Sequence, residues 1–176
     1  KAFAIDVIMD YPTLTSPQYF TDVTGTVGIS TTIDCRANLA WGDFNNDFLE
    51  DLLVTGKLYK NNWGTFNDIT VSAGLTGSPV VSTFIDMNND GLLDILFMGG
   101  SNKLYLNNGN EIFTDTPVTG LDSITGAISS YSIADFNNDK YPDIFIGQLW
   151  QSYPNSESNY LLLNDQSNGF IDSTNM

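Results

Sequence analysis

One acidic nonapeptide occurs three times in this chain, and it limits the possible folds more than any other feature. The copies read Asp43-Phe44-Asn45-Asn46-Asp47-Phe48-Leu49-Glu50-Asp51, Asp86-Met87-Asn88-Asn89-Asp90-Gly91-Leu92-Leu93-Asp94 and Asp135-Phe136-Asn137-Asn138-Asp139-Lys140-Tyr141-Pro142-Asp143. They start 43 and 49 residues apart, a period that marks a repeat protein. Each copy places oxygen-bearing side chains at positions 1, 3, 5 and 9. One signal therefore speaks to both architecture and chemistry.

The chemistry is that of a hard cation. Ca²⁺ takes six to eight oxygen ligands in flexible geometry. Asp43, Asn45, Asp47 and Asp51 would supply side-chain oxygens in the first loop, Asp86, Asn88, Asp90 and Asp94 in the second, and Asp135, Asn137, Asp139 and Asp143 in the third. Position 7 varies (Leu49, Leu92, Tyr141), so its backbone carbonyl is the expected donor. Three carboxylates and one amide then surround each ion, and about three Ca²⁺ are expected. Mg²⁺ is the second choice, because it demands near-ideal octahedral geometry and keeps its waters. Asp/Asn-rich turns can also simply cap hairpins, but three copies with matching flanks argue for cation sites. EF-hands are excluded, because position 12 is Val54, Phe97 or Ile146 rather than an acid, and strand formers follow position 9. The sites need not be equal. Position 6, where the loop bends, is Gly91 in the middle copy but Phe48 and Lys140 in the others. A positive φ costs Gly least, so the Asp86 loop is expected to bind tightest.

The flanks of the loops define the unit. Short runs precede each first Asp: Ala40–Gly42, Ser82–Ile85 and Ser130–Ala134. Apolar runs follow each last Asp: Leu52–Val54, Ile95–Met98 and Ile144–Ile146. Leu58–Asn61, Leu104–Asn107 and Tyr160–Asn164 come next, and Phe66–Thr70, Phe113–Asp115 and Phe170–Ser173 close the units. β-Branched, aromatic and aliphatic runs separated by Gly, Asn and Asp predict four strands per unit. No helical apolar period persists beyond two turns. The expected fold is all-β, with propeller-type blades of four antiparallel strands.

The predicted organisation is an N-terminal segment (1–19), the last strand of a preceding blade plus a connection (20–36), and three blades at 37–79, 80–127 and 128–176. The extra strand is Phe20–Thr24, which resembles Phe66–Thr70 and is followed by Gly28-Ile29 as the latter is by Gly74-Leu75. The third blade already has its own fourth strand. A closed ring usually takes at least four blades, so the chain reads as part of a larger propeller or assembly. The stretch Trp150–Asn159 has no counterpart in the other units, and Trp150 and Tyr153 there either contact a partner or fold back over the blade edge.

Composition narrows the function. The formal net charge is -15 with six basic residues among 176. Half of the 18 Asp lie in the nonapeptides. Nucleic acid and anionic membrane surfaces are poor partners for such a chain. No apolar run approaches a membrane span. The chain has no His, which removes Ser-His-Asp and Cys-His catalysis and most transition-metal chemistry. Cys35 is the sole cysteine; it excludes an internal disulfide framework and reads as a small buried hydrophobe. The chain opens on Lys1 rather than Met, as a processed form or a piece of something longer would. Asp6 and Asp10 argue against an intact signal peptide in residues 1–19.

The three nonapeptides, the Leu-Tyr-x-Asn-Asn pattern around Leu58 and Leu104, and the Gly64-Thr65-Phe66-Asn67-Asp68-Ile69-Thr70 run together resemble FG-GAP or VCBS-type repeats. Such repeats occur in bacterial surface proteins and in the integrin α-subunit propeller. The resemblance covers about residues 20–173. It implies four-stranded blades, Ca²⁺ in the loop between the first two strands, and extracellular adhesion or ligand binding. The chain departs from the family in having three full units where its rings typically have about seven.

The leading expectation is therefore a calcium-binding, non-enzymatic adhesion, interaction or scaffold module, extracellular or at the cell surface. Its partner would be a protein or glycan. The alternative is a subunit of a calcium-stabilised polymer, self-associating through open sheet edges. A carbohydrate-active enzyme is a third reading, but Glu111 and Glu157 form no recognisable catalytic pair. No Asn-x-Ser/Thr sequon is present among the 19 Asn, so glycosylation does not mark the compartment.

Overall fold

A computed structural model describes residues 21–30, 38–100, 102–122, 124, 128–148 and 159–175. All regular structure among these residues is β. The first unit holds β1 (Leu39–Gly42), β2 (Asp51–Val54), β3 (Lys57–Asn62) and β4 (Thr65–Asp68). The second holds β5 (Val81–Ile85), β6 (Asp94–Met98), β7 (Lys103–Asn107) and β8 (Phe113–Thr116). The third holds β9 (Ile128–Ala134), β10 (Asp143–Gln148), β11 (Tyr160–Asn164) and β12 (Phe170–Asp172). Each unit is one antiparallel meander with its strands in sequence order. The expected twelve strands and three blade-like sheets are all present; a closed ring is not formed by them.

Alternation along the strands explains how the sheets pack. In the middle sheet, Ile95, Phe97 and Tyr105 face one way, into a cluster with Phe44, Leu53 and Leu58 of the first sheet. Leu96, Met98 and Leu104 face the other way, into a cluster with Ile144, Ile146 and Leu162 of the third. Successive side chains of a strand point to opposite faces, so a sheet with a neighbour on each side needs apolar residues at every position. β6 meets that requirement, and all five of its residues are buried. β2 is likewise buried throughout.

The connectors between sheets repeat as closely as the strands. Phe113 N–H donates to Ala73 O at 3.0 Å, and Phe170 N–H to Thr119 O at 3.0 Å. Phe66 N–H donates to Val27 O at 2.6 Å. After each acceptor comes a glycine at positive φ: Gly28 (91°), Gly74 (86°) and Gly120 (83°). A Cβ on any of them would press on the carbonyl oxygen of the same Phe. Tyr59 and Tyr105 hydroxyls donate to the carbonyls of Ser30 and Thr76, two residues further along their connectors.

This geometry refines the expectation for Phe20–Thr24. Phe20 lies outside the described residues. Thr21–Val23 carry no strand, and residues 24–28 form a turn. Asp22 accepts from Thr24 N–H at 3.0 Å, as Asp68 does from Thr70 at 3.1 Å. The shared residues thus encode the turn into a connector; a fourth strand additionally needs a third strand beside it, as β4 has in β3. Cys35, the 1–19 segment, and Trp150 and Tyr153 also fall outside the described residues.

Candidate metal centres

The three nonapeptides form the turns between β1 and β2, β5 and β6, and β9 and β10, the first hairpin of each sheet. Their backbones bend twice into the left-handed region. Position 4 is Asn46 (φ 58°), Asn89 (57°) or Asn138 (61°). Asn tolerates that conformation better than most residues. Position 6 is Phe48 (69°), Gly91 (86°) or Lys140 (79°), as its place at the sharp bend predicts. These bends turn the side chains of positions 1, 3 and 5 inward.

The inward oxygens meet in the same way in every loop. Asp47 N–H lies 3.0 Å from Asp43 Oδ1 and 3.2 Å from Asn45 Oδ1. Asp90 N–H lies 3.0 Å from Asp86 Oδ1 and 3.1 Å from Asn88 Oδ1. Asp139 N–H lies 3.0 Å from Asp135 Oδ1 and 2.9 Å from Asn137 Oδ1. The second oxygen of position 1 accepts from the position 6 N–H at 2.8 to 3.0 Å. Position 5 accepts from the position 7 N–H at 2.8 to 2.9 Å and from the position 3 amide at 2.9 Å. The N–H of position 7 (Leu49, Leu92 or Tyr141) is therefore committed to the loop's own carboxylate.

Position 9 stands apart from the other three. Asp51, Asp94 and Asp143 are each 0% exposed. Both oxygens of each accept from backbone. Asp51 takes Phe44 N–H (3.3 Å) and Asn61 N–H (2.8 Å). Asp94 takes Met87 N–H (3.0 Å) and Asn107 N–H (2.8 Å). Asp143 takes Phe136 N–H (2.8 Å) and Asn164 N–H (2.8 Å). Burial pushes Asp51 and Asp94 up to about 6, and the neighbouring loop carboxylates (Asp47 and Asp43, or Asp90 and Asp86) add to that rise against the two N–H bonds. Asp139, at the loop surface, is held below the ordinary Asp value, chiefly by the Tyr141 N–H.

Among the described residues no three His, Cys, Asp or Glu side chains close into a metal cage. The hydrogen bonds supply the reason: the carboxylates are spread over the loop's own N–H groups. The donor set nevertheless fits a hard cation. It consists of oxygens only, and two of them converge on one N–H in every loop. Each carboxylate oxygen keeps a lone pair beyond the bond it accepts. Bound Ca²⁺ would also offset the repulsion among three acidic groups. The sequence-expected residues at positions 1, 3 and 5 are thus brought together, while position 9 forms the buried floor beneath them.

Sequence reasoning missed two contributors. Position 2 (Phe44, Met87, Phe136) presents its peptide N–H to position 9 in every loop. Asn61, Asn107 and Asn164 lie at or next to the end of the third strand of each sheet and donate their own N–H to position 9. The signal was available as an Asn two residues after Tyr59 and Tyr105, and two after Leu162 in the third unit. Glu111, considered as an acid catalyst, pairs instead with Lys60 of the first sheet.

Four-stranded sheets bearing an acidic loop on their first hairpin define a blade-type repeat protein. Residues 86–146 match the family model described as FG-GAP-like repeat. The match runs from the first residue of the second acidic loop into β10 and supports an FG-GAP-type repeat over that stretch. No curated protein matches the chain.

Proposed function

We propose that the chain is a calcium-binding, non-enzymatic interaction or scaffold module that works outside the cell or at its surface. The observation that carries this reading is the threefold recurrence of one oxygen geometry at one place in the repeat. A turn that merely capped a hairpin could accept the same N–H bonds with Asn or Ser, whereas positions 1, 5 and 9 are Asp in all three units. Loops with three Asp carboxylates each and an exposed mouth suit the millimolar Ca²⁺ of extracellular fluids. The ions would be structural, and a protein or glycan would be held by the blade surfaces they stiffen.

Thermal unfolding tests this. A site that binds only the folded chain adds about 2.7 kcal/mol at free Ca²⁺ one hundred times Kd. Melting is expected to shift upward by several degrees on going from EDTA to 2 mM CaCl₂, and less with MgCl₂. Identical melting in all three conditions overturns the reading.

A second reading, association of copies into an assembly, rests on the open face of the third sheet. Leu53, Leu58, Leu96 and Leu104 are all 0% exposed, because a following sheet covers them. The same strand positions in the third sheet hold Phe145, 41% exposed, and Leu161, half-buried. Ile171 beside them is exposed as well. At the other end, Leu39 and Trp41 are exposed on β1, but Leu52, Val54 and Tyr59 on the same face are buried, so the open apolar face is that of the third sheet.

A further inference from the structure

The acidic loops are wired to one another through buried backbone. Asn107 ends β7 in the second sheet and is 5% exposed. Its side-chain amide donates to Phe44 O in the first loop at 2.8 Å and to Leu93 O in its own loop at 3.0 Å. Asn164 ends β11 in the third sheet and is 4% exposed. Its amide donates to Met87 O in the second loop at 3.0 Å and to Pro142 O in its own at 3.3 Å. Asn61 makes only the own-loop contact, to Glu50 O at 2.9 Å, among its described side-chain N–H bonds.

These bonds join those of the buried aspartates into one relay. It runs from Asn61 N–H to Asp51, through the Phe44 residue to Asn107, then to Asp94, through Met87 to Asn164, and on to Asp143 and Phe136 N–H. Every link is a backbone or side-chain group of fixed geometry. Phe44 and Met87 are 1% exposed, so water cannot replace the bonds at their peptides.

Position 2 is the residue between the first two inward oxygens, at positions 1 and 3. In the first two loops its N–H is held by the floor aspartate of its own loop and its C=O by the asparagine of the next sheet. Fixing both ends of that residue fixes the directions of the side chains on either side. We propose that Asn107 and Asn164 are positioning residues for the cation loop of the preceding sheet, and that the affinities of neighbouring loops are thereby coupled. The inference rests on the reading of the loops as calcium sites. Coupling of this kind is reciprocal and typically five- to 150-fold, and its physical carrier is the chain of buried hydrogen bonds through Asn107 and Asn164.

The test uses the full chain with one loop left intact at a time. Asp90→Asn and Asp139→Asn remove a position 5 carboxylate from the second and third loops and touch no relay bond. In that background Ca²⁺ affinity at the Asp43 loop, read by calorimetry, is expected to fall at least fivefold on Asn107→Ala and to stay within twofold on Asn164→Ala. With only the Asp86 loop intact, Asn164→Ala should weaken binding at least fivefold. Equal affinity with and without the Asn107 side chain overturns the proposal. A separate, metal-free arm reads amide hydrogen exchange: Asn107→Ala should speed exchange at Phe44 and Asp47 at least tenfold and leave Phe136 unchanged, and unchanged exchange at Phe44 equally overturns it. If Asn107→Ala does not fold, Asn107→Ser carries the same two measurements. A wild-type chain that takes up no Ca²⁺ sinks the calcium reading and the coupling of affinities with it, while the exchange arm still decides whether the asparagine locks the loop.

Discussion

At the scale of single residues, the loops carry strain and charge that substitutions can expose. Phe48 sits at φ 69° and is 95% exposed, so its ring gains nothing from the core to offset the left-handed backbone. Phe48→Gly is expected to stabilise the chain by about 1 kcal/mol in urea denaturation. The same change at Lys140 should act alike and also remove a positive charge beside the third loop. Calorimetry on Asp43→Ala, Asp86→Ala and Asp135→Ala should show the largest loss for Asp86, whose loop alone has Gly at the bend; equal losses would refute that ranking. The floor aspartates predict a pH dependence. Asp51 and Asp94 titrate near 6 in the folded chain, against an ordinary value of 3.8. A raised carboxyl pKa favours the folded state while the proton is held. That stability is present below about pH 4 and is lost as pH rises through 6. Metal-free protein should therefore lose on the order of 1–3 kcal/mol per group between pH 4 and 7, and saturating Ca²⁺ should flatten or reverse the slope. Denaturation curves at several pH values, with and without EDTA, decide it.

At the scale of elements, strands and connectors obey different rules, and the sequence displays them unequally. All twelve strands were legible, because each is a short apolar or alternating run bounded by Gly, Asn or Asp, and the acidic loops fixed the register of the repeat. The convergence of positions 1, 3 and 5 was legible for the same reason, whereas the burial of position 9 against two backbone N–H groups was not. The connector at 21–30 was not, since Phe20–Thr24 matches a stretch that is half strand and half turn, and only a pairing partner separates the two. The relay was hidden because Asn107 and Asn164 act across sheets, through carbonyls that no side-chain pattern reveals. The connectors make their own prediction. Gly74 has φ 86°, and a Cβ there would lie 3.1 Å from Phe113 O. Gly74→Ala should cost about 1–3 kcal/mol, from the backbone strain and from loosening the Phe113 N–H to Ala73 O bond. A Ser72→Ala control on the exposed side of the same turn should cost much less.

At the scale of the whole molecule, three sheets share two continuous apolar interfaces and expose a third at Phe145. Burial in the first two sheets is complete at the equivalent positions, so the open face measures what an added sheet would gain. If copies associate through it, sedimentation velocity should show concentration-dependent growth that Phe145→Asp abolishes. Monomers at every concentration would leave the face to some other part of a larger propeller and remove the assembly reading. The sheets are held by apolar cores and connector hydrogen bonds away from the acidic loops, whereas the loops are held by hydrogen bonds that an ion would reinforce. Calcium should accordingly tune stability and stiffness without creating the fold.

The most direct measurement is a calorimetric titration of Ca²⁺ into the chelator-stripped chain. The account predicts a stoichiometry of about three, falling by one with each of Asp47→Asn, Asp90→Asn and Asp139→Asn. No uptake, or uptake that these substitutions leave unchanged, would contradict it.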